Sequence, residues 1–473
     1  MRYNKIIWIS LDALRADCIS LVKDKLYTKE YKTTVKPVRS KLDEICEKSF
    51  VFANTIATAS YTSASHASYF TGLWPMHSGV YDLFSSRLNA TTIFQMAKKH
   101  GYVTLFKTDS PFMLGKHHNM INGVDKYYVE DNRTILDQIK NNKQVFAFVH
   151  FANFHYPYGF LNLEFGGTEY VKKIEALEEK CAIPKGKIHF EDHAIDAFKS
   201  RKDQELLYRY KRIINHLYSN RRDDELFDLY LEGINYFNKR FLDDFFDELL
   251  KILASDDYLV IISSDHGESL TDETYGHHDS IDEGVLRVLL AFHSKDIKPG
   301  VYKNRVRTID VFPTLMEVLF NEKCKKDGKS LRPLIYNDKK EPNRFAFSGI
   351  WVTDSAELDK KPDDMLKIDA ARSRQQGTSS KYAAAAYEDD YKCEVTYKTF
   401  ENRSERLVEH YSERLYKISF PTHMKLVKNR KMTRKMVALI NRYNAIHIQK
   451  EHKKKKMLEK YFNLLGYRIG RQK

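Results

Sequence analysis

The sequence predicts an α/β protein built on a central, mostly parallel sheet flanked by helices, and three observations carry that expectation. Lys5-Ile6-Ile7-Trp8-Ile9-Ser10-Leu11 is an apolar run of strand length that ends on Asp12. Leu259-Val260-Ile261-Ile262 is a second such run, and Asp265-His266-Gly267-Glu268 follows it. Between them, Leu226-Phe227-x-x-Tyr230-Leu231-x-x-Ile234 repeats apolar residues at helical spacing, the pattern of a helix packed on a sheet.

In an open α/β sheet ligands gather at the carboxyl ends of strands, so Asp12 and Asp265 can converge although far apart in sequence. A carboxylate and an imidazole side by side suit a divalent cation. Alone, Asp265-His266-Gly267 could also be a turn in which Asp caps a helix and Gly takes positive φ. The third element is the hydroxyl-rich segment from Ser60 to Val80. A Ser/Thr loop opening a helix offers a nucleophile, and the first helical turn offers unpaired N–H donors to an anion.

Taken in order, these segments resemble the sulfatase-like branch of the alkaline phosphatase superfamily, from about residue 3 to residue 335. The resemblance rests on Asp12, Arg15 and Asp17; on Thr62 through Thr71-Gly72, Pro75 and Ser78-Gly79-Val80; on Gly101-Tyr102-Val103-Thr104; on His155-Tyr156-Pro157-Tyr158; and on Ser264-Asp265-His266-Gly267-Glu268 with Gly276-His277-His278. It implies an alkaline-phosphatase-like fold with Asp12, Asp265 and His266 as metal ligands. Thr62 is then both nucleophile and metal contact, a role that coordination makes feasible by lowering the hydroxyl's pKa. His278 or His277 becomes the acid for the leaving group: the distance to Arg287 favours His278, adjacency to Gly276 favours His277. His155 and His66 are expected at the substrate, although His66 also sits at i, i+4 from Thr62, one face of the same helix.

Two departures from the family pattern redirect the chemistry. Sulfatases make a formylglycine from Cys or Ser within Cys/Ser-x-Pro-x-Arg, and Thr62-Ser63-Ala64-Ser65-His66 lacks that signature. Unmodified threonine resembles the phospho-branches, in which phosphodiesterases and phosphotransferases form a covalent phosphothreonine. The expected function is therefore a metal-dependent phosphoester hydrolase or phospho-group transferase acting on an anionic phosphoester, with a cytoplasmic glycan or lipid-linked precursor in view. A sulfatase lacking formylglycine and a non-catalytic binding protein of the same fold are the alternatives. Ala13 stands where sulfatases carry a second acidic residue, so one calcium-type ligand is missing, and without a full second ligand set one divalent ion is expected. Two carboxylates, a hydroxyl and an imidazole suit Mn2+ or Zn2+ better than Ca2+ or Mg2+.

Around this catalytic domain (1–335), the stretch 159–222 is charged and weakly patterned, a variable helical insertion placed to act as a lid. Residues 336–400 read as a small subdomain with short strands at 344–352, 382–387 and 393–397, resembling the family's four-stranded antiparallel appendage. Residues 401–473 hold 20 Lys and Arg against 6 Asp and Glu, which accounts for the whole formal net charge of +14 and leaves the rest of the chain neutral. Met436-Val437-x-Leu439-Ile440 amid Lys425, Lys428, Arg430, Lys431, Arg434 and Lys435, and Tyr461-Phe462-x-Leu464-Leu465 after Lys453-Lys454-Lys455-Lys456, read as a basic helical tail. Such a tail suits an anionic membrane surface or an acidic glycan, or docks by its apolar stripe. No nucleic-acid fold accompanies it, which disfavours nucleic acid. Five cysteines without paired spacing are expected reduced, and the first core strand begins at once after Met1, so a cytoplasmic location is expected, peripheral at the inner face of the membrane. No residue pattern fixes an oligomeric state.

Overall fold

The computed structural model describes residues 3–23, 25–81, 87–156, 158, 168–183, 201–270, 276–277, 280–351, 382–397, 411–419 and 423–442. Its central sheet has eight strands: β1 (Lys5–Leu11), β2 (Phe50–Phe52), β3 (Val103–Thr108), β4 (Lys126–Val129), β5 (Val145–Phe151), β6 (Tyr258–Ser263), β7 (Leu290–His293) and β8 (Gly300–Tyr302). They lie in the order β8-β2-β7-β6-β1-β5-β3-β4. Only β7 runs against its neighbours; every other pairing in this sheet is parallel.

Alternation along each strand splits the apolar residues between two layers. Ile7, Ile9, Leu11, Val149, Val260 and Ile262 face one side, under the helices Lys41–Glu47, Asn132–Asn141, Asp223–Phe237 and Asp243–Leu253. Ile6, Trp8, Phe146, Phe148, Leu259 and Ile261 face the other, under Thr62–Thr71, Ile93–Lys99 and Val311–Phe320. Trp8 locks the second layer, meeting Tyr69, Phe70 and Phe148 edge-on at 5.4–5.7 Å. The helix Thr62–Thr71 is buried along its whole length. It ends at Gly72, whose φ of +67° and tight approach to Phe312 and Pro313 leave no room for a side chain.

Within 159–222, helices Thr168–Lys180 and Arg201–Ser219 are described, and they join the first layer through Ile174, Tyr210, Ile213, Ile214 and Leu217. The insertion thus contributes to the core as well as to the surface.

A second, antiparallel sheet follows: β9 (Ala346–Trp351), β10 (Tyr382–Glu388), β11 (Tyr391–Tyr397), β12 (Tyr411–Ser419) and β13 (His423–Leu426), in sequential order. This corrects two expectations. The sheet has five strands instead of four, and its last two fall inside the segment assigned to a helical tail. The reason is that charge masks β12: Leu415 is buried and Tyr416 and Ile418 half-buried, while Glu413, Arg414 and Lys417 on the same two faces stay exposed, so no apolar alternation marks the strand. The helical part of that segment spans 430–442, and Met436, Val437 and Ile440 dock it against Phe347, Ala384, Ala386 and Leu415. Lys453–Lys456, Tyr461–Leu465 and the whole 352–381 link lie outside the described residues.

Ala383 and Ala385 face the catalytic body, where Ile56, Ile281, Val285 and Leu286 meet them. A buried polar clasp reinforces this contact. Lys392 Nζ donates to the Ile281 carbonyl at 2.7 Å and pairs with Glu394 at 2.8 Å and Glu283 at 3.2 Å. Tyr387 donates to Glu283 at 2.6 Å, and Arg287 pairs with its other oxygen at 2.7 Å. No helix among the described residues is long and apolar enough to cross a membrane, and the five cysteines are free thiols.

Candidate active site

Register brings the site together. Ser10 of β1 lies opposite His150 of β5 and Ser263 of β6, so Asp12 and Asp265 emerge side by side at the carboxyl edge of the sheet. The helix Thr62–Thr71 starts at the same edge, with Thr62 in its first turn. Thr62 Oγ1 donates to Asp12 Oδ2 at 3.3 Å and lies 3.4 Å from His266 Nε2. His266 Nε2 is also 3.4 Å from both Asp12 Oδ1 and Asp265 Oδ2. Residues some 200 and 250 positions apart are thus in one cluster.

Backbone contacts hold these groups in place. Asp265 Oδ1 accepts from the amides of Ala13 (3.2 Å) and His266 (2.9 Å). His266 Nδ1 donates to the Gly267 carbonyl at 2.9 Å, which fixes the tautomer and turns Nε2 inward. Gly267 is obligatory, because a Cβ there would lie 2.0 Å from the Gly284 carbonyl oxygen. Arg15, fully buried, ties the turn together through Asp17 (3.0 Å), Glu30 (2.8 Å) and the Glu268 carbonyl (3.0 Å).

The donor set fits a divalent cation. Asp12, Asp265 and His266 place one ligand atom each within 4.8 Å of one another, all fully buried. Asp12 Oδ1 and Asp265 Oδ2 have no hydrogen-bond donor, and two buried carboxylates with unmet lone pairs are costly unless positive charge stands between them. Burial works against ionised Asp12, but the hydrogen bond from His150 and the neighbouring imidazoles hold its carboxyl well below the usual range. Burial likewise opposes a charged His266, yet Asp265 and Asp12 raise its pKa above the ordinary imidazole value.

The remaining histidines separate by position. His277 is in the cluster: Nδ1 lies 3.1 Å from Glu268 Oε2, Nε2 lies 3.2 Å from His155 Nε2, and the ring stacks on His266 at 4.0 Å. His278 lies outside the described residues. His155 is half-buried, its Nδ1 on the Tyr156 carbonyl at 2.9 Å and its Nε2 at His277. His66 turns inward. Its Nδ1 sits 2.8 Å from the Thr62 carbonyl and its Nε2 2.7 Å from Ser10 Oγ, and burial pushes its pKa down to about 4. Both its nitrogens are engaged by protein, so it braces the first turn of the helix Thr62–Thr71.

Sequence reasoning missed His150, whose Nε2 lies 3.2 Å from Asp12 Oδ2. The signal was present: a lone imidazole near the carboxyl end of the apolar run Val145–Phe151 obeys the same strand-end logic that singled out Asp12.

Comparison with known proteins agrees with this layout. The Sulfatase family model matches residues 4–321. A structure solved in complex with its substrate D-glucosamine-2-N,6-O-disulfate superposes with a TM-score of 0.60 at 15% identity, covering 94% of this chain and 98% of that one. The phosphonate monoester hydrolase of Agrobacterium radiobacter gives 0.57 at 15% identity over 94% and 96%. A choline-sulfatase of Rhizobium meliloti (strain 1021) is 29% identical over 110 residues, 22% of this chain and 21% of its own length, so the chain spans about a fifth of that curated relative. With the family match extending over more than half of the chain, and with its strands, the buried helix Thr62–Thr71 and the buried Asp/His cluster arranged in one α/β layer structure, this protein belongs to the sulfatase family.

Proposed function

We propose that this protein is a cation-dependent phosphoester hydrolase or phosphotransferase in which Thr62 takes up the phosphoryl group. The observation that carries the reading is the threonine itself: a hydroxyl in the first turn of a buried helix, 3.3 Å from Asp12 and 3.4 Å from His266, where a sulfatase would need an aldehyde. Oxidation of a threonine side chain yields a ketone, never the formylglycine aldehyde whose hydrate expels sulfate. Fold alone does not choose, since the similar structures include one with a sulfated sugar substrate and phosphonate monoester hydrolases.

Asp12, Asp265 and His266 would hold a divalent ion that lowers the hydroxyl's pKa and offsets charge on the substrate. Mn2+ or Zn2+ suits these ligands. Thr62 Oγ1 forms the bond to phosphorus and its proton has Asp12 Oδ2 as the nearest acceptor. The bond from phosphorus to the leaving oxygen breaks as His277, backed by the Glu268 carboxylate, delivers a proton to that oxygen. In the second half a water or an acceptor hydroxyl attacks phosphorus and gives its proton to His277, while the bond from phosphorus to Thr62 Oγ1 breaks and the proton returns from Asp12 Oδ2 to that oxygen. Unpaired amides in the helix's first turn face the same edge and favour an anion there.

The test is a comparison of aryl phosphate esters with aryl sulfates under Mn2+ or Zn2+. Phosphate ester turnover should exceed sulfate turnover, Thr62→Ala should lose at least about 1,000-fold of it, and slowed turnover should leave about 80 Da on the peptide holding Thr62. Faster cleavage of the sulfate, or undiminished turnover by Thr62→Ala, would overturn the reading.

A further inference from the structure

His150 is a fully buried imidazole in a strand that is otherwise apolar, a placement that costs stability unless its polar atoms are matched. They are matched, and in one direction. Val149 pairs with Lys107 across β3 and β5, so Thr108 lies next to His150 as Ser10 does on the other side. The Asp12 carboxylate can only accept, so the His150 Nε2 that faces its Oδ2 at 3.2 Å carries the ring proton. In the neutral ring Nδ1 is then the acceptor for the Thr108 hydroxyl at 3.2 Å, whose oxygen in turn accepts from the Ser110 amide at 2.9 Å. Lys107 Nζ fixes the strand from behind, donating to the His150 carbonyl at 3.0 Å. The ring is also confined edge-on by His66, centroids 5.4 Å apart at 78°.

The consequence falls on Asp12. Its Oδ2 receives two donors, His150 Nε2 and Thr62 Oγ1, whereas Oδ1 receives none. A carboxylate held by one oxygen cannot rotate, and the free oxygen stays aimed at His266 Nε2 and the second carboxylate. We propose that His150 is the positioning residue of the cation site, clamping Asp12 through a relay that runs Ser110, Thr108, His150, Asp12. Neither the family motifs nor the nucleophile argument points to residue 150; the inference rests on the cation reading above but not on which ester is cleaved. Partners that orient a ligating carboxylate typically change metal affinity 10–100-fold when removed.

The experiment is a Mn2+ titration of the purified full chain without substrate, following free Mn2+ by its magnetic resonance signal. His150→Phe, which keeps the ring volume and loses the donor, should weaken Mn2+ about 10–100-fold at unchanged stoichiometry. His150→Gln, which returns an N–H at similar reach, should recover most of that loss, and Thr108→Val should show a smaller one. Wild-type affinity in a folded His150→Phe overturns the proposal, as does a glutamine variant no better than phenylalanine. Loss of a whole equivalent of Mn2+ overturns it differently, by making His150 a ligand of a second ion beside His66 and Asp265. Should His150→Phe fail to fold, Thr108→Val decides, because unaltered affinity there breaks the relay. Absence of phosphoesterase activity leaves the result standing, whereas a wild-type chain that takes up neither Mn2+ nor Zn2+ removes the cation site and this role together.

Discussion

Among the buried clusters of charge in the described residues, two are built on opposite plans. At the carboxyl edge of the parallel sheet, Asp12 and Asp265 leave an oxygen each without a donor. In the clasp between the catalytic body and the C-terminal sheet, Glu283 receives Tyr387, Lys392 and Arg287, and Lys392 in turn reaches Glu394 and the Ile281 carbonyl. A buried network whose central carboxylate is met on both oxygens, as Glu283 is, holds two parts of a fold together. One that is incomplete in a single spot reserves that spot for something not encoded in the chain, and weakens the fold until it arrives.

The contrast can be broken most forcefully by Asp265→Asn. Turnover should fall by at least about 1,000-fold with cation affinity, yet the metal-free protein should melt no lower than wild type, since one of two facing carboxylates is neutralised. A lower metal-free melting temperature would show the edge cluster to be structural. Lys392→Met asks the converse question. It strands Glu283 and Glu394 and should cost about 3–5 kcal/mol in denaturant unfolding, with Mn2+ affinity within a few-fold of wild type; a near-neutral effect would deny the clasp its role.

Acid sharpens the same distinction. Burial opposes ionised Glu283, but Lys392, Arg287 and the Tyr387 hydroxyl draw its pKa down to about 2. A carboxyl depressed in the folded state contributes stability in full above its unfolded value near 4.5, and that contribution is lost as pH falls toward 2. The expected loss is about 3 kcal/mol across that window, and Lys392→Met should flatten it. Measuring unfolding free energy at pH 6, 4 and 3 in both proteins checks the sign and the size. The smallest effect should come from Lys431→Glu with Arg434→Glu on the exposed side of the 430–442 helix, within about 0.5 kcal/mol, because neither belongs to a buried network. A large loss would mean that this basic face is part of the fold.

How much of this was legible depended on whether the signal was local. Asp12, Thr62, Asp265 and His266 each stand where one element type ends or begins, and an apolar run stopping on a ligand-type residue can be read without knowing its neighbours. His150 differs because its meaning comes from Thr108 on one neighbouring strand and Asp12 beyond the other, a lateral order that no single segment contains. His66 shows the reverse error, since its spacing from Thr62 suited a substrate contact while Ser10, visible only after folding, claims its outer nitrogen. Strands Tyr411–Ser419 and His423–Leu426 were hidden by charge. Leu415 is their one fully buried anchor among the described side chains, and the lysines and arginines around it read as a tail.

The position of β1 has a consequence in time. Among the described strands it precedes all the others in the chain, and it lies inside the sheet with β5 on one side and β6 on the other. After β5 has covered one edge, the chain must grow by about a hundred residues before β6 exists, which at ordinary synthesis rates is roughly 5–20 s. Throughout that interval the backbone groups of Lys5, Ile7 and Ile9, which turn toward the place of β6, stay open to any extended strand nearby. Nascent chains stalled between residues 151 and 258 are therefore the species in which chaperone engagement and misassociation should concentrate, and until they have passed Asp12 has Thr62 and His150 beside it but neither Asp265 nor His266.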